Sequence, residues 1–270
     1  MRGLRRTATA GLPPARILGI TLVGAVVLLA VAGPLLVSAS PIRQDLSSVL
    51  SPPSAAAWLG TDQLGRSVLA RLAHAARLSV LLGAASVMAA AVPGVLLGLL
   101  GAWAGGWTDR VLSGVADAVL ALPGLLLVLL VVALAPGAFW PLFLGLSLAM
   151  WVEWFRVARA ASGALLASPA VEAARLLGFG PWHVLRRHVL PEMAPLLGTL
   201  AAFGLAGAVL AIGALGFIGI GLRPPTAEWG LMMVELLPYY EEAPLALLAP
   251  AFCLFALVLG LQLLAGRDVR

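Results

Sequence analysis

The sequence predicts an all-α membrane protein, a polytopic bundle of about six transmembrane helices. Of its 270 residues, 61% are hydrophobic and only 11% are charged, whereas soluble domains carry roughly one quarter charged residues. Twelve acidic and seventeen basic side chains are too few to cover a soluble protein of this length. We therefore expect the outer surface to face lipid.

Six stretches of the sequence are long and apolar enough to cross a bilayer. A spanning helix needs about 20 mostly apolar residues. Backbone polar groups that face lipid must bond within their own segment, so each stretch is expected to be a helix. The predicted spans cover residues 17–37, 78–103, 111–135, 138–155, 195–222 and 244–264.

The first stretch also has some features of a cleaved secretory signal. Four arginines precede it, and the small residues 38–40 follow it. However, the stretch 17–37 is longer than the apolar core of a signal peptide, which has about 7 to 15 residues. An uncleaved anchor is favoured. We expect a cytoplasmic N-terminal segment over residues 1–16 and a transmembrane domain over residues 17–270.

The placement of arginine predicts how the chain crosses the bilayer. All seventeen basic residues are arginine, and a cytoplasmic N-terminus puts twelve of them inside and five outside. Cytoplasmic loops carry the excess of basic residues, so both termini are expected inside. Hydrophobic runs separate the arginines, which argues against a nucleic-acid-binding stripe. Three of the outer arginines crowd one segment: Arg66, Arg71 and Arg77.

The predicted cytoplasmic loop over residues 165–194 is expected to form two short helices. Pro169 precedes a helix-forming stretch, and Gly178 can adopt the positive φ that ends a helix. Pro181 can occupy the first position of the next helix, which Pro191 is expected to stop.

The second short helix has two different flanks. Trp182 is expected on an apolar flank with Leu185 and Val189, and Arg186 and Arg187 lie on the other. This compact, basic, aromatic surface fits docking to a partner protein. A solvated hairpin, or one resting on anionic lipid headgroups, remains an alternative.

The same loop carries a resemblance to a known family. Glu172, Ala173 and Ala174, then Gly178, then Pro191 resemble the EAA loop of binding-protein-dependent ABC permeases. The resemblance implies that the loop docks into an ATP-binding subunit and transmits its opening and closing. The expected coupling residues are Glu172, Ala173, Ala174, Gly178, Trp182, Arg186, Arg187 and Pro191.

Two further segments resemble the dipeptide, oligopeptide and nickel branch of that family. Residues 59–66, LGTDQLGR, are similar to its LGTDxLGRD segment, and residues 216–230 are similar to its SFLGLGxxPPTxxWG stretch. In the first segment, Thr61 or Asp62 can cap a helix that lies amphipathically in the membrane interface. The alternative is a simple lead-in to the second span. The resemblance implies the fold of a type I ABC importer permease.

Glycines in the fifth span have two interpretations that the sequence leaves open. Small residues at helix interfaces permit close packing inside lipid. The resemblance instead implies that this helix lines the translocation path. The residues concerned are Gly213, Gly216 and Gly219.

The loop after the fifth span is acidic and is expected to be solvated. It contains Glu228, Glu235, Glu241 and Glu242. The resemblance implies that an extracytoplasmic solute-binding protein contacts this face, with Asp62, Glu228 and Trp229 as the expected contact residues.

Few ionisable residues fall in or near the spans. Asp117 lies in the third, and Glu153 and Arg156 lie at the inner end of the fourth. Glu153 and Arg156 have the three-residue spacing at which helix neighbours pair. We expect a structural ion pair there rather than a proton relay.

The residue inventory argues against an enzyme. The sequence has no lysine, which excludes the GxxxxGK[ST] phosphate-binding loop, and Cys253 is its only cysteine. The histidines are predicted on opposite sides of the membrane, so no metal site is expected. A secondary transporter or channel is the alternative function, but no internal repeat or central charged pair supports it.

The resemblance implies a complete set of partners and a location. These are a homologous second permease, two ATP-binding subunits that use the ATP, an extracytoplasmic solute-binding protein and membrane lipid. No nucleic acid and no bound cofactor are expected. The expected role is the permease of an ATP-driven importer for peptides, nickel or a similar small solute in a bacterial inner membrane.

Overall fold

A computed structural model describes residues 13–55 and 57–266, and these residues form helices joined by loops without any β-strand. The all-α prediction is confirmed. The helices are α1 (Pro14–Leu36), α2 (Val68–Ala104), α3 (Gly106–Leu120), α4 (Gly124–Val132), α5 (Phe139–Leu166), α6 (Pro169–Leu176), α7 (Pro181–Val184), α8 (Leu190–Phe217), α9 (Trp229–Leu236) and α10 (Pro244–Ala265). The predicted N-terminal segment lies mostly outside the described residues.

Five helices in the described part of the chain are long and apolar enough to span a membrane. They are α1, α2, α5, α10 and the continuous helix Pro181–Phe217, which includes α8. The third predicted span, residues 111–135, is not one helix: α3 and α4 meet at 77°. Pro123 explains the break, because proline donates no hydrogen bond and disfavours helical geometry at the preceding Leu122.

The start of α2 corrects the predicted interfacial helix. No separate helix precedes the second span in the described residues, since α2 itself begins at Val68. Its cap is Ser67, whose hydroxyl accepts a hydrogen bond from the N–H of Ala70, rather than Thr61 or Asp62. The arginines that suggested an amphipathic face have another role, because Arg66 and Arg71 are buried.

The contact between α2 and α5 is the most extensive in the described part of the chain. A Cβ added at Gly98 would lie only 2.5 Å from the carbonyl oxygen of Phe155, so the two backbones touch there. Such close approach requires glycine and maximises van der Waals contact inside lipid. The two helices therefore form the centre of the fold, with α1 and α10 packed at one side.

Ion pairs link α3 to α5 at the end of the bundle nearest α6. Arg156 Nη2 lies 2.6 Å from Asp117 Oδ1, and Arg159 pairs with Asp109. The predicted Glu153–Arg156 pair is therefore wrong. α3 runs alongside α5, which places Asp117 next to Arg156, and the Glu153 side chain is exposed.

Candidate functional site

The loop between α5 and α8 forms a compact hairpin, defined here as residues 169–189. Ser168 caps α6, and Pro169 occupies its first turn. Gly178 has φ +82° and ends this helix, with the N–H of Phe179 donating to the carbonyl of Ala174 at 3.1 Å. α7 then begins at Pro181. The predicted turn chemistry therefore matches the observed backbone.

The end of the hairpin differs from the prediction, because Pro191 does not stop the second helix. A π turn over Leu185–Val189 joins α7 to α8, and the N–H of Leu190 donates to the carbonyl of Leu185. Pro191 falls in the first turn of α8, where a missing N–H is tolerated. The hairpin is consequently continuous with the fifth span.

A small hydrophobic core holds the hairpin against the bundle. Val171 and Ala174 of α6 pack with Val184, Val189 and Met193. The cluster also includes Ala158 of α5. Burial of these side chains fixes which face of the hairpin points away from the protein.

The outward face of the hairpin is strongly apolar. Leu176 and Leu177 are 84% and 76% exposed, and Trp182 is 68% exposed. The predicted apolar flank of Trp182, Leu185 and Val189 is divided: Trp182 is exposed, whereas Val189 is buried together with Val184. Among the predicted coupling residues, Ala174 is buried, whereas the exposed ones are Glu172, Ala173, Gly178, Trp182, Arg186, Arg187 and Pro191.

A contact that the sequence did not indicate ties the hairpin to α2. The guanidinium carbon of Arg175 lies 5.6 Å from the ring centre of Trp103, near the end of α2. This is the geometry of a cation–π interaction. Its partners are 72 positions apart (175 minus 103), so no local pattern could reveal it.

At the opposite end of the bundle lies a buried charge cluster, defined as Asp62, Arg66, Arg71 and Glu235. Asp62 Oδ2 is 2.7 Å from Arg66 Nε and 2.6 Å from Arg71 Nη1. Glu235 Oε2 is 2.5 Å from Arg71 Nη2 and 3.2 Å from Arg66 Nη2. The formal charges cancel, which makes it tolerable to bury Asp62 and both arginines and to bury Glu235 in part.

The burial of the three predicted contact residues corrects the predicted outer contact surface. The side chains of Asp62, Glu228 and Trp229 are at most 1% exposed, so they are not available to a binding protein in this structure. Asp62 is neutralised by the arginines, and Trp229 packs in the core. The expectation of a fully solvated acidic loop is wrong for Glu228 and Glu235 and agrees with the exposure of Glu241 and Glu242.

Glu228 caps α9 from a buried position. Its carboxylate accepts hydrogen bonds from the N–H groups of Gly230 and Leu231, each at 2.9 Å. Burial raises the pKa of Glu228 from 4.5 to about 7, and these hydrogen bonds oppose the rise. The residue lies outside the candidate membrane spans.

The three glycines of the fifth span have different surroundings. Gly213 and Gly216 lie where α8 meets other elements: a Cβ at Gly213 would be 2.7 Å from a methyl of Leu254, and one at Gly216 would meet the Glu228 carboxylate. Gly219 has open space around it and a φ of +75°, and it ends α8. Close packing thus accounts for two of the three, and turn geometry for the third.

The described residues contain no group of three or more His, Cys, Asp or Glu side chains that could hold a metal ion. The described structure is a membrane bundle with the hairpin at one end and the charge cluster at the other.

Comparison with known proteins assigns the chain to a protein family. Residues 94–267 match the family of binding-protein-dependent transport system inner membrane components. The chain belongs to this family. The predicted resemblance is confirmed, and the protein is a permease subunit of an ABC importer in the inner membrane. Permeases of this family work with ATPase and substrate-binding partners.

The similarity to curated relatives extends over most of the permease. It is 35% identical to the di/tripeptide transport system permease protein DppC of Pseudomonas aeruginosa, over 91% of this chain and 82% of the relative. It is 31% identical to the dipeptide transport system permease protein DppC of Alkalihalophilus pseudofirmus, over 94% and 83%. The glutathione transport system permease protein GsiD of Pectobacterium atrosepticum is 31% identical, over 84% and 75%.

A solved structure supports the fold of the permease. A chain of the methionine ABC transporter MetNI, in inward-facing conformations, superposes with a TM-score of 0.58. The match covers 72% of this permease and 92% of that chain at 19% sequence identity. The predicted fold of a type I ABC importer permease is thereby confirmed.

Proposed function

We propose that this permease conducts short peptides into the cell and is driven by separate ATP-binding subunits that grip the hairpin. Relatives at 31% to 35% identity are named for transport of dipeptides, di/tripeptides and glutathione, and all of these are short peptides. Nickel and other small solutes remain the alternatives from the sequence. They are outcomes of the uptake experiment below.

The exposed apolar face of the hairpin carries the coupling part of the proposal. Leu176, Leu177 and Trp182 have no covering partner within the described chain, while the opposite face is anchored in a core. Large exposed apolar groups on a rigid element are typical of a protein contact site. Continuity with α8 gives the contact a mechanical path into the membrane.

The complex would contain further subunits. We propose a homologous second permease, since α8 exposes the large apolar side chains of Phe203, Leu210 and Phe217 along one side. Two ATP-binding subunits would supply the nucleotide sites. This chain has no lysine for a phosphate-binding loop, so it would bind no nucleotide or other cofactor itself.

The orientation follows from the same proposal. The ATP-binding subunits are cytoplasmic, so the hairpin and both chain termini would lie in the cytoplasm. The charge cluster would then lie at the outer end, where a solute-binding protein delivers the peptide. The excess of arginine on the hairpin side supports this orientation.

The experiment is reconstitution of the full complex in proteoliposomes, with uptake of labelled dipeptide, tripeptide and nickel measured with and without ATP. ATP-dependent peptide uptake is expected, together with loss of ATP-binding subunits from the purified complex of Trp182→Ala. The matched control is Trp58→Ala, whose side chain is 72% exposed in the loop before α2. Uptake of nickel alone would overturn the peptide assignment, and unchanged subunit retention in Trp182→Ala would count against the coupling site.

A further inference from the structure

The charge cluster connects elements that are far apart in the sequence. Asp62 and Arg66 belong to the loop before α2, and Arg71 lies in the first turn of α2. Glu235 comes from α9 and is 169 and 164 positions from Arg66 and Arg71. Among the described residues, Glu235 makes the only ion pairs between α9 and the start of α2. It is therefore the member that ties two parts of the fold together.

The other acidic member, Asp62, is held much more firmly. One of its carboxylate oxygens accepts from the backbone N–H groups of Leu64 and Arg66, both at 2.9 Å, and the other accepts from both arginines. Its side chain is fully buried. Asp62 consequently belongs to the permanent structure of the loop before α2.

Glu235 lies at the edge of the cluster. Its side chain is 13% exposed, and only one of its carboxylate oxygens, Oε2, bonds to a described residue. Water can therefore reach this carboxylate if α9 moves away, which lowers the cost of separating the charges. The arginines would keep Asp62 as a partner. If the cluster separates, the ion pairs of Glu235 are therefore the ones expected to break.

α9 is fastened to the helix that begins at the hairpin. The backbone of Gly230 in α9 touches the carbonyl of Gly213 in α8, and Glu228 fills the space beside Gly216. α8 runs on from the hairpin through the π turn without interruption. A displacement of the hairpin would therefore pass along α8 to α9 and would act on the ion pairs of Glu235.

We propose that Glu235 is a positioning residue for transport, whose ion pairs with Arg66 and Arg71 latch α9 to the start of α2 and part when the hairpin is displaced. The inference rests on the proposed function, which supplies that displacement. The latch holds the bundle end opposite the hairpin closed in the resting complex. Weakening it lets the complex reach the displaced state, and hence hydrolyse ATP, without the binding protein.

The test is Glu235→Gln in the reconstituted complex, with ATP hydrolysis measured with and without binding protein alongside peptide uptake. Hydrolysis without binding protein is expected to rise on the order of tenfold, as for loss of a hydrogen bond to a charged group, and the peptide moved per ATP is expected to fall. Glu242→Gln, which removes an exposed carboxylate from the loop between α9 and α10, should change neither quantity. A Glu235→Gln complex with parental basal hydrolysis and parental coupling overturns the latch.

A second variant covers the case in which Glu235→Gln does not assemble. Glu235→Asp keeps the charge but shortens its reach, so its coupling should fall between the parent and full uncoupling. Parental coupling in Glu235→Asp then overturns the proposal. Absence of ATP-driven uptake in the parent complex refutes the proposed function itself, whereas a coupled parent with an equally coupled variant refutes only the latch.

Discussion

Gly213 and Gly230 bring the backbones of α8 and α9 into direct contact. A Cβ placed on Gly230 would lie 1.9 Å from the carbonyl oxygen of Gly213, a distance that no side chain tolerates. The contact fixes the short helix α9 on the end of the fifth span. It also holds Glu228 under Gly216 and keeps Glu235 within reach of the arginines.

Gly230→Ala is expected to destabilise the permease, because the added methyl must push α9 away from α8. Overpacking of this kind costs about 1–3 kcal/mol. The thermal midpoint of the detergent-solubilised protein should fall. The control is Gly207→Ala in α8, where a Cβ meets nothing within 4 Å and should leave the midpoint unchanged or raise it. Equal midpoints for the two variants would show that the contact is not rigid.

Gly178→Val is expected to uncouple ATP hydrolysis from uptake while the permease still assembles. The φ of +82° at Gly178 is disfavoured for β-branched residues, so the turn between α6 and α7 should distort. Transport and hydrolysis are measured in proteoliposomes. Gly180→Ala is the control, since Gly180 has a φ of −73° and open space around it. Full coupled transport by an assembled Gly178→Val complex would reject a role for this turn.

Asp62→Asn is expected to be among the most damaging single changes. It leaves Arg66 and Arg71 buried with one acidic partner, and breaking a buried ion pair in this way costs about 3–5 kcal/mol. Asp117→Asn also breaks an ion pair, but the side chains of Asp117 and Arg156 are 65% and 55% exposed. A loss of only about 0–1 kcal/mol in stability is therefore expected. Thermal midpoints of the two variants, measured side by side, compare these costs. A larger loss in Asp117→Asn would contradict the burial argument.

Glu228→Gln should change how stability depends on pH. The folded pKa of about 7 lies above the ordinary 4.5, so the folded permease binds this proton more tightly than the unfolded chain does. The parent is therefore expected to lose stability as pH rises from about 4.5 through 7, by an order of 3 kcal/mol, whereas the variant lacks this loss. Thermal midpoints of the parent and of Glu228→Gln, measured between pH 4.5 and 8, test this difference.

The expected signature is a difference between variant and parent that grows with pH and levels off above 7. Glu242→Gln is the control, because its exposed carboxylate should give a difference that is flat over the same range. A flat difference for Glu228→Gln as well would mean that the carboxyl titrates as it does in water.

Local chemistry made the spans and the hairpin predictable. Apolar runs located the helices, and Pro169, Gly178 and Pro181 marked the turns, because each of these residues restricts or permits backbone angles by itself. The break at Pro123 was missed because hydropathy averages over a window and does not register one missing hydrogen bond. Pro191 was wrongly expected to end a helix, because the π turn before it carries the chain into the first turn of α8.

The amino-acid sequence by itself determined that this chain is a helical membrane protein of a permease family, with a two-helix hairpin between its fourth and fifth predicted spans. These properties depend on composition and on motifs within short segments. Only the tertiary structure decided that Asp62 and Glu228 are buried, that Arg156 pairs with Asp117, and that Glu235 meets two arginines. Such partners are distant in the sequence and meet only after the helices pack, because the free energy of a buried charge depends on what surrounds it in space.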